Sequence, residues 1–527
     1  MRPVLARENL LPNAVARWAE ETPDTIALEI VGGRRITYAE LHETGLLWAA
    51  ALMKAGVEPG SHVATMVSAE LMAHFAMLSV GWLGAVEVPL NTAYQGNMLH
   101  YALELTDAQT IVCTTEFVDA LAAVCGDLPK LERVIVVNGM APEGAFSCRV
   151  VNHHEFFADV EPAVGLPGPE YHTISTLLLT SGTTGPSKAV VVPWAGVFQM
   201  WSWVPLDGLL PGEGLFIAMP LFHNSGRSGF NNCMARGGRY VTKSKFSGTT
   251  FWDDVRSTGC VIAALVGPMT HLIYSAPPKS DDADNPLRAV VLGPMIPEME
   301  DFERRFGVKV ATCYGQTEIG APLATGWDHG PWAGCGKPRT DYPWTECEIV
   351  NDLDEPLPVG QVGELVVRSR EPWSMNVGYY KMPEATAAGW RNGWFHTGDS
   401  FKRDDDGWFF FVDRTRDTIR RRGENISSFE VENAVLEYPG IVECAAVAIQ
   451  TPLGDDEVMA AIIVHEPKSF DPAALLAFLE PRMPKFMLPR YVEVMDDFPR
   501  NETTGRVRKH EMRARGLSDK TWDREAP

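Results

Sequence analysis

The chain has 527 residues, 45% of them hydrophobic, with 46 basic against 68 acidic side chains and a formal net charge of −22. That length can bury more than one core, and that charge argues against non-specific binding to nucleic acid or to an anionic membrane. Nine scattered cysteines with no C-x-x-C pair argue against a zinc site or a disulfide framework and point to a reducing, cytoplasmic setting.

Met1–Leu10 holds two arginines and a glutamate and no apolar run, which is not a signal-peptide pattern. From residue 25 to about 340, β-branched or apolar runs alternate with helical patterns. The runs are Thr25–Val31, Val63–Val67, Gln109–Cys113, Arg133–Val137, Leu177–Thr180, Gly214–Met219, Val261–Val266, Ala289–Leu292 and Lys309–Cys313. Tyr38–Ala55 and Glu70–Leu83 read as helices between them. The alternation predicts an α/β fold around largely parallel sheets. The most membrane-like stretch, Leu71–Val86, contains His74, Gly81 and Gly84 and is too short for a span, so it reads as a buried helix.

Around residues 343–413 short strands (Glu346–Val350, Gly363–Val367, Trp408–Val412) alternate with turns, predicting a small β-subdomain. Beyond Asp413 the pattern is compact α+β: a helix at Phe429–Glu437, strands at Glu443–Ile449 and Val458–His465, and a helix at Pro472–Leu479. The charged run Asp413–Asp417 suits a hinge between a domain of residues 1–413 and a smaller one of residues 414–527.

Residues 177–192 carry the strongest chemical signal. An apolar run opens into Thr180, Ser181, Gly182, Thr183, Thr184 and Gly185, followed by Lys188 and a second β-branched run. Glycines let backbone approach closely, hydroxyls and amides donate hydrogen bonds, and the lysine adds charge, which together suit a polyphosphate. The spacing is G-x-x-G-x-x-K between strands, not the G-x-x-x-x-G-K-[ST] that opens a helix in P-loop enzymes.

Further motifs follow in order: Pro220-Leu221-Phe222-His223, Tyr314-Gly315-Gln316-Thr317-Glu318, Gly336-Lys337-Pro338 and Trp394-Phe395-His396-Thr397-Gly398-Asp399. Then come Asp413-Arg414-Thr415-Arg416-Asp417, the Ile419–Glu432 segment and Pro499–Lys509. This set resembles the adenylate-forming enzymes, which include acyl-CoA synthetases, peptide-synthetase adenylation domains and firefly luciferase. Arg420–Ser428 and Thr521-Trp522-Asp523 are similar to the carnitine/crotonobetaine-CoA ligase branch.

The resemblance implies a large multi-sheet N-terminal domain and a small mobile C-terminal domain, hinged near Arg416. It implies an AMP-forming acyl-CoA ligase that uses ATP, Mg²⁺ and coenzyme A on a small carboxylic acid, without a membrane span and with a homodimer as an open option. On that resemblance Thr180 to Lys188 hold the β- and γ-phosphates. Thr317 contacts the α-phosphate and Glu318 the metal. Asp399 accepts the ribose hydroxyls with Arg414 assisting, and Tyr314 stacks on adenine beside Gly293, Pro294 and Met295. Gly315 and Gln316 belong to the same strand-turn. His223 stands where acyl pocket meets thiol tunnel, and Arg422, Gly423 and Glu424 line the tunnel after domain rotation.

Two departures stand out. Pro193-Trp194 replaces the histidine that relatives carry after the second strand, and Arg506 replaces their adenylation lysine. A planar guanidinium is not a conservative exchange for a point charge. Three readings stand: Arg506 does the work, Arg508 or Lys509 reaches in through altered register, or adenylation is crippled. Two rival functions follow: a free-standing adenylation enzyme loading a carrier protein, and a nucleotide-binding protein with weak or no ligase activity. The identity of the acid is not readable from the chain.

Overall fold

The computed structural model describes residues 5–68, 71–180, 187–204, 208–293, 298–327, 330–331, 334–341, 344–351, 353–414, 418–422, 424–451, 455–467, 470–499, 507 and 509–526. They divide into two compact units.

The first unit comprises Met1–Thr92, Leu103–Leu179 and Ala189–Asp413. A nine-stranded sheet runs Lys337–Pro338, Gly320–Ala324, Lys309–Gln316, Ala289–Gly293, Cys260–Val266, Gly214–Ile217, Arg239–Thr242, Ile26–Ile30, Arg35–Thr37. Its middle pairs are parallel, as in Val290 opposite Val310 and Ala264 opposite Val291. Cys260–Val266 is apolar throughout and mostly buried, as expected for a parallel strand covered on both faces. A seven-stranded sheet begins at Arg149–Asn152 and ends with Val86–Pro89, Ile174–Thr180 and Lys188–Pro193. Residues 345–414 build a third, five-stranded sheet around Gly363–Ser369 and Trp394–Arg403.

Helix Tyr38–Ala55 starts at a capping box. The Thr37 hydroxyl accepts from the Glu40 amide (3.2 Å), and the Glu40 carboxylate accepts from the Thr37 amide (2.8 Å). It stops at Gly56 in the left-handed region. Helix Leu71–Trp82 is buried along most of its length. It can nest there because Gly45 lies against the Trp82 ring and Gly81 against that of Trp194, where a Cβ would stand 2.5 and 2.8 Å from ring atoms. Among the described residues no helix is long and apolar enough to cross a membrane. Trp194, only 2% exposed, is therefore a core residue packed on Gly81.

The second unit comprises Arg414–Pro527 together with Ala93–Ala102 and Thr180–Lys188. Hairpin Thr418–Arg421/Glu424–Ser427 leads into helix Ser428–Leu436. A four-stranded sheet follows, in the order Ile441–Gln450, Asp456–Val464, Tyr491–Val494, Trp522–Asp523. Its core gathers Ile419, Ile426, Val431, Val458, Ile462 and Leu475. Helix Pro472–Leu479 begins where the sequence places it, with Asp471 accepting from the Ala473 amide at 2.9 Å and proline at the first turn.

Candidate active site

The Tyr314–Glu318 motif lies on a strand and its reversal. Strand Lys309–Gln316 folds back on Gly320–Ala324, with Tyr314 opposite Leu323 and Gln316 opposite Gly320. Two glycines make the reversal possible. A Cβ on Gly315 would stand 2.2 Å from the Gly320 carbonyl oxygen, and Gly320 itself has φ +65°. Gln199 clamps the turn, donating to the Ile319 carbonyl (3.0 Å) and accepting from the Ala321 amide (3.3 Å).

This strand meets Trp394–Arg403 at a buried carboxylate. Asp399, 4% exposed, accepts from the Tyr314 hydroxyl at 2.7 Å and from Gln316 Nε2 at 2.9 Å. Gln316 Nε2 also reaches the Thr397 carbonyl at 3.0 Å. The Asp399 amide donates to Thr397 Oγ1 (3.1 Å), whose hydroxyl donates to the Leu365 carbonyl (2.6 Å). The Tyr314 ring lies edge-on to Phe401, with centroids 4.7 Å apart. Sequence reading gave Tyr314 only a stacking role; the structure adds a hydroxyl that orients Asp399.

Glu318 is held by residues that the motif did not name. Tyr379 Oη donates to Glu318 Oε1 at 2.9 Å, and the Asn376 amide and side chain donate to the Glu318 carbonyl at 2.9 and 2.7 Å. The Asn376–Tyr380 segment pairs in turn with the strand leaving the glycine-rich loop. Val191 N donates to Gly378 O (2.9 Å), Val377 N to Val191 O (3.0 Å) and Tyr380 N to Ala189 O (2.8 Å). A cavity of about 660 Å³ borders Asn376, Tyr379, Thr386 and Trp390. The available signal was the run Gly378-Tyr379-Tyr380, but a glycine followed by two tyrosines does not say which carboxylate a phenol will meet.

The remaining candidates fall as follows. Thr180 ends strand Ile174–Thr180 and Lys188 opens Lys188–Pro193; Ser181, Gly182, Thr183, Thr184 and Gly185 lie outside the described residues. Gly293 ends strand Ala289–Gly293, with Pro294 and Met295 outside. Thr317 sits in the turn beside Glu318. His223 is the N-cap residue of helix Asn224–Ala235, its ring beside Phe222 at 4.8 Å. That helix is pinned by Arg227, fully buried, which donates through both terminal nitrogens to Glu87 Oε2; Thr65 also donates to Glu87, at 2.8 Å. Burial pushes the Glu87 carboxyl up and the Arg227 guanidinium down from their ordinary values, against their mutual attraction.

Arg414 ends strand Phe409–Arg414, and Arg416, Gly423, Arg506 and Arg508 lie outside the described residues. Arg422 occupies the hairpin turn at φ +54°, its amide donating to Asp455, and Glu424 opens the returning strand. Arg420 and Arg422 are exposed, but Arg421 between them is not. Strand alternation turns Arg421 inward to 1% exposure, where it pairs with Glu457 at 2.6 Å and donates to the Phe486 and Leu488 carbonyls. Lys509 is also engaged, 2.5 Å from Glu432 and 2.8 Å from Ser428 Oγ.

Among the described residues no group of three or more His, Cys, Asp or Glu side chains is arranged to hold a metal by itself. A lone carboxylate such as Glu318 fits Mg²⁺, which takes most of its ligands from phosphate oxygens and water.

Comparison with known proteins identifies the family. The model for AMP-binding enzymes matches residues 15–380, and that for the AMP-binding enzyme C-terminal domain matches residues 430–504. The crotonobetaine/carnitine–CoA ligase of Citrobacter koseri is 29% identical over 494 residues, covering 91% of this chain and 93% of the relative. The amide bond synthetase McbA of Marinactinospora thermotolerans superimposes with a TM-score of 0.79 at 26% identity, over 95% of this chain and 99% of that one. The o-succinylbenzoate CoA synthetase of Bacillus subtilis shares the fold, with a TM-score of 0.83 at 22% identity over 96% and 99%. With a buried carboxylate tied to Tyr314 and Gln316, a second carboxylate on the adjoining turn and the family match across most of its length, the chain belongs to the AMP-binding enzymes.

Proposed function

We propose that this protein is an ATP-dependent acid–thiol ligase, an AMP-forming acyl-CoA synthetase. The observation that carries the reading is the pairing of Asp399 with Tyr314 and Gln316, four residues or fewer before Glu318. One short strand-turn thus aligns a ribose-binding carboxylate with a metal-binding one. In the reaction a substrate carboxylate attacks the α-phosphorus of ATP, releasing pyrophosphate and giving acyl-adenylate. A thiolate then attacks the acyl carbonyl and AMP leaves.

The first step joins two anions, so positioned cations and hydrogen-bond donors must lower their repulsion. Thr180 to Lys188 take the β- and γ-phosphates, Thr317 the α-phosphate, and Asp399 with Arg414 the ribose. Tyr314 and the Gly293, Pro294 and Met295 backbone flank adenine. Glu318 would hold Mg²⁺, which would supply positive charge against the phosphates. Arg506 bridges acyl carboxylate and α-phosphate. His223 guards the acyl pocket, and Arg422, Gly423 and Glu424 line the thiol route. A C-terminal domain of residues 414–527, hinged near Arg416, serves the two half-reactions in turn. Nine free cysteines support a cytoplasmic enzyme.

The test is a pyrophosphate-release screen over short-chain, long-chain, aromatic, alicyclic, steroid-derived and betaine acids, with CoA, a carrier protein or an amine as acceptor. An acid that releases pyrophosphate and yields acyl-CoA supports the reading. ATP binding without pyrophosphate release from any acid would overturn it.

A further inference from the structure

Glu318 has a long side chain on a turn, and a metal-binding carboxylate placed there works only if something fixes its rotamer. We infer that Tyr379 is the positioning residue for Glu318, orienting its carboxylate toward the metal–nucleotide and tying it to the strand that leaves the phosphate loop. The inference rests on the reading of Glu318 as the metal carboxylate.

The geometry supports it at three points. The Tyr379 hydroxyl donates to Glu318 Oε1 at 2.9 Å, which sets where the second oxygen points. The Tyr379 ring packs against Leu178, Val190, Val192 and Val197, so the phenol has little room to wander. Its backbone is locked as well: Tyr379 N donates to Thr386 Oγ1 at 2.9 Å, and Tyr379 bridges Val190 across an antiparallel pair. Ahead of it Gly378 has φ +134°, and a Cβ there would stand 2.8 Å from Thr386 Cγ2. The phenol is therefore carried by the same backbone that carries the phosphate loop's exit strand, and Asn376 in that segment holds the Glu318 carbonyl. A shift of either element moves the Glu318 carboxylate and the Ala189–Val192 backbone together.

The experiment measures Mn²⁺ binding to the enzyme–ATP complex by electron paramagnetic resonance, with no acid present so that nothing turns over. Tyr379→Phe should weaken Mn²⁺ about tenfold, the scale of losing an outer hydrogen bond to a metal ligand. Its thermal midpoint should stay at the wild-type value, and its ATP affinity should recover at high Mg²⁺. Lys381→Ala, beside the same cavity, should bind Mn²⁺ like wild type. The inference is overturned if Tyr379→Phe binds Mn²⁺ as tightly as wild type while Glu318→Gln does not. An equal loss of ATP affinity at every Mg²⁺ concentration overturns it too, since that marks a structural role. If Glu318→Gln leaves Mn²⁺ affinity untouched, the assignment of the metal carboxylate fails with it.

Discussion

Replacing Asp399 by Asn tests the proposed ribose site at its centre. The carboxylate is 4% exposed and already takes donors from Tyr314 (2.7 Å) and Gln316 (2.9 Å). In the variant those donors compel the amide oxygen to face them, so the NH₂ group turns toward the ribose and presents a donor where an acceptor is needed. Each hydrogen bond from a ribose hydroxyl to a buried carboxylate is worth roughly 1.5–3 kcal/mol. Two at the low end give about 3 kcal/mol, or about 100-fold in affinity at ~1.4 kcal/mol per tenfold. Wild type should thus bind ATP about 100-fold more tightly than 2′,3′-dideoxy-ATP by calorimetry, and Asp399→Asn should shrink that ratio to below about tenfold. Tyr314→Phe removes that donor and leaves Gln316, so ATP affinity should fall only about tenfold. An Asp399→Asn variant that still separates the two nucleotides as wild type does would refute the assignment.

Three further outcomes can be checked independently. Arg227→Met leaves Glu87 buried with Thr65 as its remaining side-chain donor and should cost about 3–5 kcal/mol in urea denaturation. Adding Glu87→Gln should restore most of that, and a double variant no better than the single one would show that charge is not the cause. Because burial holds the Glu87 carboxyl above its ordinary value, its protonated form favours the fold; the single variant's deficit should be smallest near pH 4 and grow as pH rises. Burial raises all nine thiols, with Cys113, Cys125 and Cys313 pushed up to about 12 and Cys260 to about 11. Native protein should therefore resist iodoacetamide at pH 8, and its stability should fall as pH rises from about 9, where unfolded thiols ionise first; rapid labelling of the native enzyme would contradict this. Lys509 is engaged by Glu432 and Ser428, so Lys509→Ala should spare ATP–pyrophosphate exchange while Arg506→Ala abolishes it; the reverse result would hand the adenylation role to Lys509.

What the chain revealed before its structure, and what it withheld, divides along a physical line. Helix Tyr38–Ala55 was legible because Thr37, Glu40 and Gly56 write its ends in local chemistry. The parallel strands were legible because burial on both faces leaves unbroken apolar runs such as Cys260–Val266. Trp394–Arg403 was read as a motif and not as a ten-residue strand, since His396, Thr397, Gly398 and Asp399 break the apolar pattern. The polar side chains are each spent on a partner, Thr397 on Leu365, His396 on Glu364 and Asp399 on Tyr314, while the Gly398 amide donates to Glu364. The motif residues stood out in the sequence; the side chains that hold them did not. Tyr379 lies 61 positions from Glu318 and Gln199 lies 120 from Ile319, and no local pattern encodes either contact. The buried Glu87–Arg227 pair was invisible for the same reason, since each residue alone looks like an ordinary surface charge. Local rules thus mark the motif residues proposed to touch substrate, whereas the hydrogen bonds that aim them arise only when distant strands meet. Tyr379 is accordingly where a conservative change should alter metal binding while every motif residue stays in place.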